Sequence, residues 1–274
     1  MKKTLLFSFL SVFLFSGISN AGNYNFPIGA RQGAMGNASV GFNDFWSLWG
    51  NQAGLTGVKN ITAGLYYEDK FFMPSLGLKA GGVAIPVGKL GVFGFSMNSF
   101  GYDLYSEKKA GIAFAKSYAN IVSVGMQLDY IGTSIAENYG SVSALVAEFG
   151  MQAKVLKELT IGAHVYNPTR SKLVSYNDER IPTQLRIGMV YNFSKAVLCS
   201  VEGEKELNSR ADFRAGIEYH AAKPFYLRIG ISTDPVLNSF GAGLEFGGFK
   251  IDLASTVHPQ LGVSPKFSLT YNIK

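Results

Sequence analysis

The feature that most constrains this chain is an alternation of apolar and polar residues with a period of two, repeated in segment after segment. In "ADFRAGIEYH", Ala211, Phe213, Ala215, Ile217 and Tyr219 share one face, while Asp212, Arg214, Gly216, Glu218 and His220 share the other. "QLRIGMVY" sets Leu185, Ile187, Met189 and Tyr191 against Gln184, Arg186 and Gly188. "FYLRIGIS" and "KFSLTYNIK" repeat the pattern. Successive side chains of a strand point to opposite faces, so each segment predicts a strand with one apolar and one polar side. Similar segments begin near Ile61, Ser75, Leu90, Lys109, Ile121, Ser143, Leu159, Val197 and Ser239. Turn residues punctuate them, as in "VGKLG", "AENYG", "NFSK", "AAKP", "TDP" and "FGG". The count is about fourteen strands, joined by hairpins into an antiparallel meander.

An antiparallel sheet of this size has two homes: a soluble sandwich or barrel, and an outer-membrane barrel with its apolar face in lipid. Three observations favour the membrane. The segments are long enough to cross a bilayer when tilted. Aromatics recur at segment ends, at Tyr66, Tyr67, Tyr102, Tyr105, Tyr118, Tyr130, Tyr166, Tyr191, Tyr219, Phe246 and Tyr271, as interfacial girdles do. The polar face carries charges, among them Asp129, Glu148, Lys250 and Asp252, that a dry core tolerates poorly. The expected fold is therefore an all-β transmembrane antiparallel barrel, closed because lipid cannot satisfy an open sheet edge.

The amino terminus agrees. Lys2 and Lys3 precede a mostly apolar run from Leu5 to Ile18, and Ser19-Asn20-Ala21 supplies small residues for cleavage. Residues 1–21 are expected to be a secretory signal peptide. Without Lys2 and Lys3 the formal charge of +6 falls to +4, spread without a basic stripe, so nucleic acid is not an expected partner. Cys199 is the only cysteine, which excludes an internal disulfide. His164, His220 and His258 lie far apart, and no His or Cys pair has metal-ligand spacing. Neither a cofactor nor an enzymatic activity is expected.

Two features inside the barrel bear on function. Glu202 and Glu204 alternate on one strand, Arg214 and Glu218 lie on the next, Arg228 follows, and Arg186 precedes them. These residues read either as a salt-bridge ladder that fills the lumen or as a conduit selective for charged solutes. Gly81, Gly82 and Pro86 are candidates for a kink in the second strand, because Pro cannot donate to a ladder.

The stretch from Ile28 to Gly57 has no period of two. Its glycines and alanines permit close packing, its asparagines can satisfy unpaired backbone groups, and Trp46 and Trp49 supply bulk. That chemistry suits a segment inside a lumen; a periplasmic tail beneath the barrel is the alternative. Gly29-Ala30-Arg31, Met35-Gly36-Asn37-Ala38, Asp44, and Trp49-Gly50-Asn51-Gln52-Ala53-Gly54-Leu55 resemble the amino-terminal signature of FadL-like outer-membrane barrels, and within them the PorV/PorQ branch. Gln52 stands where that pattern has Pro, and Asn37 where it often has Gly. The resemblance implies fourteen strands and a plug, or hatch, of residues 22–59 within a barrel of residues 60–274. It implies the outer membrane of a Gram-negative, Bacteroidota-type cell, with lipid as a partner. It also implies one of two functions. One is a non-enzymatic accessory or scaffold of type IX secretion, with translocon or surface-sorting partners. The other is a FadL-like transporter of long-chain fatty acids or other small hydrophobic compounds. The connections Tyr166–Ile181 and Val257–Pro265 are the longest expected excursions, and the rest are short for a fatty-acid importer.

Overall fold

The computed structural model describes residues 25, 27–136, 140–174, 179–207 and 209–273; the expected signal peptide lies outside them. A short helix, α1 (Ala30–Ala34), and single helical turns at Phe45–Trp49 and Gln52–Gly57 precede the strands. The strands are β1 (Ile61–Asp69), β2 (Gly77–Val87), β3 (Gly91–Tyr102), β4 (Tyr105–Tyr118), β5 (Val122–Ile135), β6 (Gly140–Lys154), β7 (Leu159–Tyr166), β8 (Lys172–Val174), β9 (Glu179–Arg180), β10 (Gln184–Asn192), β11 (Val197–Glu206), β12 (Ala211–Ala222), β13 (Phe225–Thr233), β14 (Val236–Phe246), β15 (Phe249–His258) and β16 (Gly262–Ile273).

All but β8 and β9 join one closed antiparallel barrel of fourteen strands. Each strand pairs with its neighbours in the chain, β7 pairs with β10, and closure comes from β1 against β16, from Ile61↔Ile273 to Glu68↔Lys266. The expected strand number and meander are both present. The hairpin of β8 and β9, which sequence periodicity did not reveal, sits within the β7–β10 connection.

Burial is inverted relative to a soluble protein. Outward Met97 and Ile112 are 69% and 61% exposed, while inward Asp129 and Glu148 are 0% exposed. The apolar belt faces lipid and the polar face lies within the ring, which is the membrane alternative and not the soluble one. Tyr67, Tyr118, Tyr130, Tyr219 and Tyr271 are exposed on the outer wall, as girdle residues should be, while Tyr102 is exposed at the rim opposite Tyr105. Tyr66 and Tyr166 depart from that expectation, since both are buried inside. Tyr66 donates to Glu68 at 2.9 Å, and the Tyr166 ring lies 5.0 Å from the Lys109 ammonium.

The connections at the end holding Ile61 and Ile273 are all tight. The opposite end carries the long 167–183 connection, which marks it as the extracellular face. The second expected excursion, Val257–Pro265, is instead strand and tight turn. β15 runs to His258, and β16 starts at Gly262, whose φ of +95° lets the chain reverse.

Candidate functional site

The chain before β1 runs inside the ring. At the extracellular side, Asn25 donates to Gln184 at 2.5 Å. Helix α1 then lies against β13, β14, β15 and β16, and the turn at Gln52–Gly57 lies against β4, β5 and β6. Gly29 takes a φ of +113° at the helix entrance, and the Ala30 N–H donates to Ser268 at 3.3 Å.

What lets this segment approach the wall is a belt of small inward residues. A Cβ on Gly150 would meet the Asn51 side chain at 2.0 Å; one on Gly162 would meet the Val40 carbonyl at 2.3 Å; one on Gly230 would meet the Gly36 nitrogen at 2.1 Å. The belt continues through Gly125 against Gln52 and Ala53, Gly216 against Met35, and Gly241 against Ala34. Where the strand has no glycine it has Ser200, whose hydroxyl donates to the Ala38 carbonyl, and Ala254, packed against Ala30 and Ala34.

The segment's irregular backbone is satisfied by side chains, as a buried chain without a ladder requires. Asp44 accepts from the Trp46 N–H at 2.9 Å, and Asn51 from the Ala53 N–H at 3.2 Å. Asn51 also donates to the carbonyls of Val40 (2.7 Å) and Met151 (3.1 Å). Gln152 of the wall donates to the carbonyls of Val40 and Phe42. Gly54 lies so close to the Phe42 carbonyl that a Cβ there would stand 2.1 Å from it, and Leu55 is fully buried.

Among the described residues, most inward charges fall in three networks that each touch this segment, and Lys266 and Glu68 form a separate pair at 3.3 Å. In the first, Arg186 and Arg214 hold Glu202 and Glu204, with Arg186–Glu202 and Arg214–Glu204 both at 2.7 Å. The other oxygen of Glu202 accepts the N–H groups of Ser39 and Val40, each at 2.8 Å. In the second, Glu218 lies between Arg228 (2.5 Å) and Arg31 (2.7 Å); Arg31 also binds Asp44 and Arg228 binds Asp252, both at 2.7 Å. Gly243 leaves the path open, since a Cβ there would come within 2.4 Å of Asp252. In the third, Lys109 contacts Asp129 (3.2 Å) and Glu148 (2.6 Å), and Glu148 also meets His164 and accepts from Gln52 at 2.7 Å. Thus the six ladder residues do pair across adjacent strands, but in two separate networks. His164, which alternation puts on a lumen face, joins a third network through Glu148, and Lys109 is the member of it that the sequence did not single out.

The other half of the lumen is apolar. Phe45 packs edge-on to Trp46 and Trp49, whose own rings are tilted by 32°, with centroids 5.1 to 5.9 Å apart, and Tyr66 adds to the cluster at 6.1 Å. Leu48, Leu55, Leu78, Ala84, Val92 and Ala113 complete the cluster. Toward the extracellular side Ile131, Val146, Tyr166 and Ile181 pack together, with Leu173 of β8 against them. Asn167 ties down that connection by donating to the Ile181 carbonyl at 2.8 Å and accepting from the Ser171 N–H at 2.9 Å.

At Gly81 and Gly82 the ladder keeps register with both β1 and β3, and at Pro86 with β3 alone. Gly82 faces inward beneath Trp49 and Leu48, Gly81 faces outward, and Pro86 pairs opposite Val92 beside the turn. The residues expected to bend the wall thus lie in a continuous strand. Between the segment and the wall, a cavity of about 20 Å³ lies beside Ile28, Trp46, Trp49 and Arg186, and one of about 280 Å³ lies beside Phe45, Trp46, Lys250 and Thr270.

No family profile matches the chain, and no curated protein resembles it in sequence. Solved structures do resemble it. One is described as the CymD monoaromatic hydrocarbon channel, at 13% identity and a TM-score of 0.72, covering 92% of this chain and 99% of that one. Another is the Pseudomonas putida toluene transporter TodX, at 12% identity and 0.67, covering 88% and 97%. A third is a Pseudomonas aeruginosa FadL homologue, at 13% identity and 0.61, covering 91% and 99%. At these identities the likeness is one of fold: that of Gram-negative outer-membrane barrels.

Proposed function

We propose that this chain is an outer-membrane channel for small hydrophobic compounds, closed at rest by residues 25–58. The observation that carries this reading is the two-sided lumen. A pore for polar solutes needs a wet polar lining throughout. Here one side of the lumen is an aromatic and aliphatic surface, built from Phe45, Trp46 and Trp49 against Leu78, Ala84 and Val92. The likeness to barrels described as hydrocarbon channels supports the same substrate class. Space of about 280 Å³ is open beside Phe45 and Trp46 at the end holding Ile61, but only about 20 Å³ is free beside Trp49 and Arg186, so a solute passes that level only if the amino-terminal segment shifts. The continuous pairing at Gly81 and Gly82 supports a movement of the segment over one of the wall.

The test is uptake. Cells lacking their own hydrophobic-compound channels, with and without this chain, are given a radiolabelled monoaromatic hydrocarbon and a long-chain fatty acid. A severalfold faster accumulation of either supports the channel. Rates equal to the empty-vector control for both overturn it. A second reading, an accessory of type IX secretion in a Bacteroidota-type cell, rests on the Gly29–Leu55 pattern and on the filled lumen. Cross-linking in the native membrane separates the two, because only an accessory recovers translocon or surface-sorting proteins.

A further inference from the structure

We propose that the outer wall over β2, β3 and β4 binds a phosphorylated glycolipid of the extracellular leaflet, through Lys79, Ser99 and Lys108. The three residues form one row. Lys79 pairs with Ser99, and Ser99 pairs with Lys108, so they stand side by side on three adjacent strands. All three have outward parity, and both lysines are exposed. Neighbouring strands lie roughly 4.8 Å apart, which places the two lysine Cα atoms about 10 Å apart with the serine between them. Two flexible ammonium groups at that spacing converge on one phosphate, and the hydroxyl adds a donor beneath it.

The height of the row fits a headgroup. Lys79 is near the start of β2 and Lys108 near the start of β4, both at the end that bears the long connection. Below them the outward residues turn apolar at once: Gly81 and Val83 on β2, Met97 and Phe95 on β3, Ala110 and Ile112 on β4. The row therefore lies at the upper boundary of the hydrocarbon band, where a lipid phosphate sits.

The surface below is shaped for a chain. Gly81, Ala63 and Ala110 leave a groove of about 1150 Å³ in the wall, flanked by Leu65, Met97 and Tyr130. Two other grooves, of about 640 and 530 Å³, mark the same wall near Ala242 and near Gly203, and neither has an outward lysine or arginine in its lining. Neither Lys79 nor Lys108 forms an ion pair among the described residues, whereas Lys205, also outward near this rim, donates to the Ser209 carbonyl. Two unpaired cations at the head of the largest of these three grooves specify an anionic headgroup carrying acyl chains. The extracellular leaflet makes that lipid a phosphorylated glycolipid. The inference is independent of what the lumen transports.

Native mass spectrometry of the full-length barrel, released from detergent with added lipid, tests it. The probes are a bis-phosphorylated glycolipid, its dephosphorylated form, and phosphatidylglycerol. The expected result is one retained phosphorylated glycolipid, with retention at least tenfold lower for the dephosphorylated form and for the Lys79→Gln/Lys108→Gln variant. Ala110→Trp, which fills the groove and leaves the lysines, is expected to lower retention as well, while Ala242→Trp in the neighbouring groove leaves it unchanged. Retention unaffected by the paired lysine change overturns the site. Equal retention of phosphatidylglycerol overturns the glycolipid assignment.

Discussion

At the scale of single residues, the most informative position is Gln52. Gln52 opens a helical turn capped by Asn51, a position where Pro is well tolerated. What Gln adds there is a side-chain contact. Its amide reaches Glu148 at 2.7 Å in a site fully shielded from solvent. Gln52→Pro is thus expected to fold but to lose about 1.5–3 kcal/mol, the usual worth of a hydrogen bond to a charged group. Thermal unfolding in detergent measures it, and an unchanged midpoint would mean that the amide does not hold Glu148. Arg31 is the complementary case. It alone joins Glu218 of the wall to Asp44 of the segment. Removing one partner of a buried ion pair costs about 3–5 kcal/mol, because the other charges stay behind. Arg31→Ala is therefore expected to loosen the segment and to raise sensitivity to small polar antibiotics that the wild-type barrel excludes. Arg31→Lys, which keeps charge but not the two-sided fork, should fall between them.

At the scale of elements, the strands were legible from sequence because alternation is a property of each strand alone. A lipid-facing wall must be apolar at every second residue, so β12 and β16 announce themselves. The interior was legible only as chemistry. Charges at Glu202, Arg214, Glu218 and Arg228 predict pairing, but which carboxylate meets which base depends on register and on glycines such as Gly243. Lys109 was hidden for the same reason: only the pairing of β4 with β5 and β5 with β6 brings it to Asp129 and Glu148. The kink expected at Gly81, Gly82 and Pro86 used a valid local rule, yet the hairpin turn follows Pro86 closely and the ladder absorbs it. The glycine belt yields a test of the element as a unit. Gly162→Val and Gly230→Val place a side chain on segment backbone, and each is expected to displace the segment and lower the unfolding temperature by several degrees. Gly203 faces outward with its nearest neighbour at 3.7 Å, so Gly203→Val is expected to be neutral. Equal effects inside and outside would mean that the segment does not depend on close approach.

At the scale of the whole molecule, the segment and the ring stabilise each other unequally. The segment has little regular structure, and its backbone relies on Glu202, Gln152, Ser200 and Ser268 of the wall. The ring closes through its own ladder and keeps Arg186–Glu202, Arg214–Glu204 and Arg228–Glu218 without help. Deleting residues 25–58 is therefore expected to leave a barrel that still assembles but carries a wet lumen. In that lumen Glu68, Glu107, Asp129, Glu148, Glu202, Glu204, Asp212, Glu218 and Asp252 outnumber Lys109, Arg186, Arg214, Arg228, Lys250 and Lys266. Net negative walls attract cations, so the truncated barrel is expected to conduct steadily and with cation selectivity in planar bilayers. The intact chain should be silent. Where the deletion assembles poorly, Gly230→Val supplies the same reading with every residue but one retained. Steady conductance by the intact chain would show that residues 25–58 do not close the lumen, and anion selectivity of the truncated form would show that the inward carboxylates do not set the field.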